Sequence, residues 1–192
     1  MRIGILGSAF DPPHKAHVKL GERAKKALKL DFLILVPTKT PPHKANPVAP
    51  ARFRLRMAKI LADKRKGWIV SDVELRRPGK SYTRDTIRYM KKRYPNDEIY
   101  WIVGSDSIVS MPWKWKGGYD ILDYCKFAVA ERPGYPLKGV SRHILKKLVI
   151  IPAQSTDLSS TKIRNLLGQG KSVRRFLDQS IYALVKRHNL YS

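Results

Sequence analysis

Residues 4–17 read Gly-Ile-Leu-Gly-Ser-Ala-Phe-Asp-Pro-Pro-His-Lys-Ala-His, and the rest of the chain is organised around them. The run Arg2-Ile3-Gly4-Ile5-Leu6 at their start reads as a first buried strand. Behind them Leu20, Ala24, Ala27 and Leu28 recur at helical spacing. The stretch is therefore a strand–loop–helix corner opening an α/β unit. Such corners aim backbone N–H groups and a helix N-terminus at an anionic ligand. Gly7 permits the tight turn and a close backbone approach. Asp11-Pro12-Pro13 stiffens the loop, because proline fixes φ and restricts its predecessor. His14 and His17, three apart, share a face if both lie in the first helical turn, where they can donate to phosphate oxygens. Two solvated surface histidines are the plainer alternative. A metal site is weaker still, since the corner offers no cysteine or evident third ligand.

Outward from this corner the chain repeats the strand–helix pattern. Phe32 to Val36 is a continuous apolar run, as expected of a strand buried on both faces, and it completes a right-handed βαβ unit. Residues Thr38 to Pro50 contain four prolines, Pro41, Pro42, Pro47 and Pro50, and read as a loop. Within it, Pro41-Pro42-His43-Lys44 is either a linker or a phosphate-binding flap. A helix over Arg52 to Ala62 turns Phe53, Met57, Ile60 and Leu61 inward, and Trp68 to Ser71 is a short strand. Ser81 is the expected N-cap of a helix carrying Ile87, Met90 and Tyr94.

Ile99 to Val103 is the next buried strand and runs into Gly104-Ser105-Asp106-Ser107. In an open parallel sheet the ligand lies beyond the carboxyl ends of the strands, so this corner and the first face one crevice. Asp106 suits a ribose hydroxyl or a metal better than a phosphate, and a simple turn-former is the plainer alternative. Met111 to Gly118 reads as a tryptophan-rich loop, and Trp113 or Trp115 is available to stack on a ring. Two further strands, Phe127 to Ala130 and Leu148 to Ile151, are separated by the turn Glu131 to Pro136. Then Leu158-Ser-Ser-Thr-Lys-Ile-Arg164 places hydroxyls at a helix start, with Arg164 one turn in on the face of Ser160 and Thr161. Free N–H groups, hydroxyls and a guanidinium make an anion site; an ordinary capped helix is the alternative. Ser180 to His188 closes the chain as a helix with Asn189 as C-cap. The fold class is α/β, a Rossmann-like doubly wound parallel sheet with a small C-terminal helical part, in one domain over residues 1–192.

The first corner resembles the signature G-G-S/T-F-D-P-x-H-x-G-H of the nucleotidyltransferases, the adenylyltransferase superfamily related to class I tRNA synthetases. Ser8, Ala9 and Ala16 depart from it, and the hydroxyl usual at position 9 is missing, so its contact is either lost or taken over, with Ser8 the candidate. Leu158 to Arg164 resembles the superfamily's I-S-S-T-x-I-R. The ordered set of P-P-H-K, S-Y-T, G-S-D-S, the W-K loop and R-P-G-Y-P is similar to the bacterial nicotinate-nucleotide adenylyltransferases. That resemblance implies transfer of the adenylyl group of ATP to nicotinate mononucleotide, giving deamido-NAD and pyrophosphate. It implies ATP contacts at Gly7, Ser8, Ala9, Phe10, His14, His17, Lys44, Gly104, Asp106, Ser160, Thr161 and Arg164, with His14, His17 and Arg164 catalytic. It implies mononucleotide contacts at Thr83, Trp115, Lys44 and Arg132. Mg²⁺ would arrive with ATP, with no metal held by the protein itself. Nicotinamide mononucleotide and pantetheine phosphate are the alternative acceptors.

Composition sets the remaining expectations. The chain has 192 residues, enough for one real core, and 43% of them are hydrophobic. A single cysteine, Cys125, allows no internal disulfide framework and fits a reducing cytoplasm. The sequence contains no apolar run near the roughly 20 residues of a membrane span and no signal peptide. Thirty-nine Lys and Arg against 15 Asp and Glu give a net charge of +24. Scattered lysines favour a solvated basic surface that concentrates anions over a nucleic-acid binder on the same fold. Homo-oligomer formation stays open.

Overall fold

The computed structural model describes residues 1–43, 45–152 and 158–191. Six strands form one sheet: β1 (Arg2–Ser8), β2 (Phe32–Pro37), β3 (Trp68–Val70), β4 (Glu98–Gly104), β5 (Lys126–Ala130) and β6 (Leu148–Ile151). Their order is β3-β2-β1-β4-β5-β6, and every neighbouring pair is parallel. Side chains alternate between the faces. Leu33, Leu35, Tyr100, Ile102 and Ala128 pack beneath α1 (Lys15–Leu28), α2 (Ala51–Asp63), α7 (Ser160–Gly168) and α8 (Gln179–Arg187). Ile34, Val36, Trp101, Phe127 and Val129 pack beneath α4 (Thr83–Arg93), α5 (Ser105–Lys114) and α6 (Arg142–Lys146). Apolar residues on both faces are why these strands appear in the sequence as unbroken hydrophobic runs. The strand order reverses between β1 and β4, so the two corners that follow these strands open side by side.

Several local expectations are corrected. Met111 to Lys114 is not loop but the last turn of α5, even though Pro112 lies inside it. Pro112 has no N–H for the carbonyl of Ile108, and the hydroxyl of Tyr119 donates to that oxygen instead at 3.3 Å. Ser81 does not cap α4; Tyr82 holds that position with no side-chain cap. The Ser81 hydroxyl accepts instead from the backbone N–H groups of Lys39 and Thr40, at 3.1 and 3.3 Å. On α2 the buried face includes Arg54, which sequence periodicity leaves outside, while Phe53 and Ile60 are only half-buried. Arg54 is tolerated there because it donates to the carbonyls of Ala49 and Ala9, at 3.0 and 2.8 Å. The C-cap of α8 is His188, with Asn189 following in the left-handed region at φ 46°. The four-residue α3 (Val73–Arg76) and the five-residue α6 are too short to show a period.

Gly21 marks the tightest approach of α1 to the sheet. A Cβ there would lie 2.5 Å from the Trp68 ring and 2.7 Å from a Leu33 methyl. Gly21→Ala should gain about 1 kcal/mol in helix propensity and lose more to overpacking. The expected net loss is about 1–2 kcal/mol in urea unfolding. A variant as stable as the parent would mean that α1 can move off the sheet without cost.

Candidate active site

The two corners, the start of α7, the loop after β2 and the start of α4 enclose a cleft of about 590 Å³. Gly7, Ser8, Ala9, His14, His17, Thr83, Gly104, Asp106, Trp115, Arg132, Ser160, Thr161 and Arg164 all line it. The sheet's switch point thus gathers residues spread over more than 150 positions of sequence. Phe10 does not line it; its ring is fully buried beneath the corner, on a backbone at φ 49°. A non-glycine residue held in the left-handed region is strained, and such strain concentrates at functional sites. Lys44 lies outside the described residues.

His14 is the N-cap of α1 and His17 the third residue of the helix, with ring centroids 3.9 Å apart. The backbone N–H of His14 donates to Nδ1 of His17 at 3.3 Å. That bond assigns the proton of the neutral ring to Nε2, which lies 3.0 Å from the Ser8 hydroxyl. Ser8 therefore stands where a hydroxyl partner for His17 is needed. Burial, then the nearby Arg132 guanidinium, pushes the pKa of His17 down to about 4. Burial, His17 and Arg132 likewise hold His14 well below the usual histidine value. Both rings are neutral donors at pH 7. The His14 side chain in turn faces the backbone N–H of His17, so the two residues close a reciprocal capping box at the start of α1.

At the second corner, Asp106 and Arg132 form an ion pair at 3.3 Å. Ser105 joins them to the next loop: its hydroxyl accepts from the Arg132 N–H at 2.9 Å and donates to the Tyr135 carbonyl at 2.7 Å. A Cβ on Gly104 would sit 2.4 Å from Oδ1 of Asp106, so only glycine leaves that carboxylate in place. The close approach expected at Gly7 also exists: a Cβ there would lie 2.8 Å from the Trp101 ring.

Arg164 reaches the cleft from α7, whose N-cap is Ser159. Its Nη1 donates to the Asp11 carbonyl at 2.9 Å and lies 3.5 Å from the Asp11 carboxylate. Ser160 donates to the Pro12 carbonyl at 2.9 Å. Asp11, which from sequence has only a stiffening role, is the main residue that sequence reasoning missed. Asp11 is buried, and its carboxylate accepts from the N–H groups of Val48 and Ala49 and from the Tyr191 hydroxyl, at 2.8–2.9 Å. An acid between Phe10 and Pro12, in a loop otherwise built for anions, was the available signal.

At the other end of the cleft Trp115 lies near-parallel to the His43 ring at 6.0 Å, whereas Trp113 is 81% exposed and lines nothing. Glu74 and Ser81, both buried, also line this end and were not selected from sequence. Among the described residues no group of three or more His, Cys, Asp or Glu side chains is placed to hold a metal ion. No helix among them is long and apolar enough to cross a membrane.

Comparison with known proteins agrees with this geometry. A family model described as cytidylyltransferase-like matches residues 5–166. The chain is 36% identical to a probable nicotinate-nucleotide adenylyltransferase of Thermus thermophilus, over 100% of both chains. It is 38% identical to the Oceanobacillus iheyensis protein of the same description, over 98% of this chain and 96% of that one. The Plasmodium falciparum nicotinic acid mononucleotide adenylyltransferase complexed with NaAD shares the fold, with a TM-score of 0.83 at 20% identity over 99% and 97% of the two chains. A neutral histidine pair at a helix start, set at the switch point of a parallel sheet and matched along its whole length by these relatives, places the chain in the nicotinate-nucleotide adenylyltransferase family of cytidylyltransferase-like proteins.

Proposed function

We propose that this chain transfers the adenylyl group of ATP to nicotinate mononucleotide, forming deamido-NAD and releasing pyrophosphate, in NAD biosynthesis. The observation that carries the reading is the pair of imidazoles at the start of α1, 3.9 Å apart and both lining the cleft at the switch point of the sheet. A phosphate oxygen of the mononucleotide attacks the α-phosphorus of ATP, and the bond from that phosphorus to the pyrophosphate oxygen breaks. The nucleophile is already ionised, so the protein needs no strong base. Its contribution is positioning and stabilisation of charge in an in-line transfer.

His14 and His17 donate to the α-phosphate as neutral imidazoles, the Nε2–H of His17 being shared between that phosphate and the Ser8 hydroxyl. Gly7, Ser8 and Ala9 frame the phosphates, and Ser160 and Thr161 present the N-terminus of α7 to them. Arg164, fixed by Asp11, meets the β- and γ-phosphates with its planar fork already ordered. Lys44 joins them on the strength of its sequence motif. Asp106 takes a ribose hydroxyl, and Arg132 turns toward the mononucleotide phosphate. Thr83 and Trp115 receive the nicotinate ring. A divalent cation carried by the nucleotide, such as Mg²⁺, would neutralise phosphate charge there.

Removing one donor from developing charge costs on the order of 3 kcal/mol, or roughly a hundredfold in rate. His17→Ala should therefore lower kcat by that factor while moving the KM for ATP less than about threefold. Near-normal turnover in single-turnover assays would place the chemistry away from α1.

The histidine pair also sets a pH dependence. His17 titrates near 6.5 when unfolded and near 4 when folded, so the unfolded chain binds more protons between these values. Stability of the ligand-free protein is complete above pH 6.5 and should fall as pH drops toward 4. Urea titrations across that window should show a shallower fall for His17→Gln. An unchanged slope would assign the pH dependence to other groups.

Nicotinate and nicotinamide differ by a carboxylate against an amide. A basic site with N–H donors at the start of α4 favours the ionised acceptor and leaves the amide's NH₂ facing other donors. Pyrophosphate release should therefore give a kcat/KM for nicotinate mononucleotide at least about tenfold above that for nicotinamide mononucleotide, roughly 1.4 kcal/mol. Equal values would overturn the acceptor assignment and leave adenylyl transfer standing.

A further inference from the structure

Beneath the ring-binding end of the cleft lies a polar cluster that the reaction as described does not use. Glu74 sits on α3, 3% exposed, and forms part of the cleft wall. Its Oε1 accepts from the hydroxyl of Thr86 at 2.7 Å, and the hydroxyls of Ser81 and Thr38 also bear on the buried carboxyl. Thr86 is fully buried in the first turn of α4. Arg77 donates to the same Thr86 oxygen at 3.1 Å and to the Tyr82 carbonyl at 3.4 Å. Ser81, next to Tyr82, is tied to the loop after β2: its N–H donates to the Thr40 carbonyl at 2.8 Å, and its hydroxyl accepts from Lys39 and Thr40.

We propose that Glu74 is a positioning residue that anchors the first turn of α4 through Thr86, and so sets the selectivity for a carboxylate-bearing mononucleotide. This rests on the functional reading above. The chain enters α4 without a capping side chain, so the helix start is held by what lies beneath it rather than by its own N-cap. Glu74 and Arg77 grip Thr86 from below, and Ser81 fixes the residue ahead of the cap. Thr83, the first residue of the helix, then faces the cleft in one orientation. A carboxyl buried against a hydroxyl and one shared guanidinium is costly to keep, and a leucine would pack there at less expense. Burial pushes the Glu74 carboxyl up, and the Thr86, Ser81 and Thr38 hydroxyls and the Arg77 guanidinium oppose that shift.

Steady-state kinetics and thermal unfolding on the whole chain test this. Glu74→Ala and Thr86→Val should each raise the KM for nicotinate mononucleotide by about tenfold, the scale of one lost buried hydrogen bond. Both should leave the KM for ATP within about twofold and lower the nicotinate-to-nicotinamide ratio of kcat/KM, because α4 does not meet the phosphates. Glu74→Gln keeps an acceptor for Thr86 and should return the mononucleotide KM to within about threefold of the parent. Thr86→Val deletes only a hydroxyl and carries the test if Glu74→Ala does not fold. If the two KM values rise together, or neither moves in folded variants of an active parent, the role assigned to Glu74 is wrong. A parent that releases no pyrophosphate with nicotinate mononucleotide overturns the functional reading, and this inference with it.

Discussion

The buried carboxylate of Asp11 is the constraint on which the site depends. At 2% exposure it must be paired, because an isolated charge in a protein interior is several kcal/mol too costly. Its partners come from three separate places: Val48 and Ala49 ahead of α2, Arg164 on α7, and Tyr191 beyond α8. Burial beside that carboxylate pushes the Tyr191 phenol's pKa up, so it remains a donor. One side chain thus fixes the first corner against the proline-rich loop and α7. Arg54 closes the same joint from below by donating to the Ala9 and Ala49 carbonyls. Nothing in the chemistry of phosphate transfer requires Asp11 to touch a substrate; it is the anchor that gives the residues around it a common frame.

Electrostatics divide into a global and a local part. A surplus of basic side chains gives the chain a net charge of +24, and many of its ion pairs lie on exposed side chains such as Arg76–Asp72 and Lys147–Asp123. Such pairs contribute little to stability. The surplus raises the local concentration of polyanions instead. Within the cleft the two histidines are kept neutral first by burial and then by the nearby Arg132.

The long helix α5 shows how side-chain bonding extends an element beyond its sequence signal. Pro112 should end it, and the tryptophans around it suggest an exposed loop. The Tyr119 hydroxyl supplies the hydrogen bond that proline cannot, and the helix runs on to Lys114. The consequence is a different fate for two tryptophans two positions apart. Trp113 projects into solvent, whereas Trp115, just past the helix end, turns into the cleft.

The sequence by itself determined the sheet, its doubly wound order and the two corners. Strands buried on both faces must be apolar throughout, and a ligand corner must carry glycine, proline and polar groups in short range; such signals are local and survive in one dimension. His14, His17, Asp106 and Arg164 could be selected for the same reason. What only the tertiary structure decided was how these groups are held. Asp11 and Tyr191 are 180 positions apart, and Glu74 reaches Thr86 across a turn and a helix start. The cap at Tyr82 rather than Ser81, the burial of Arg54 and the neutral state of the histidine pair likewise follow from partners distant in sequence. A buried polar side chain is tolerated only where the fold delivers its partners, and no period or motif along the chain records where that delivery occurs.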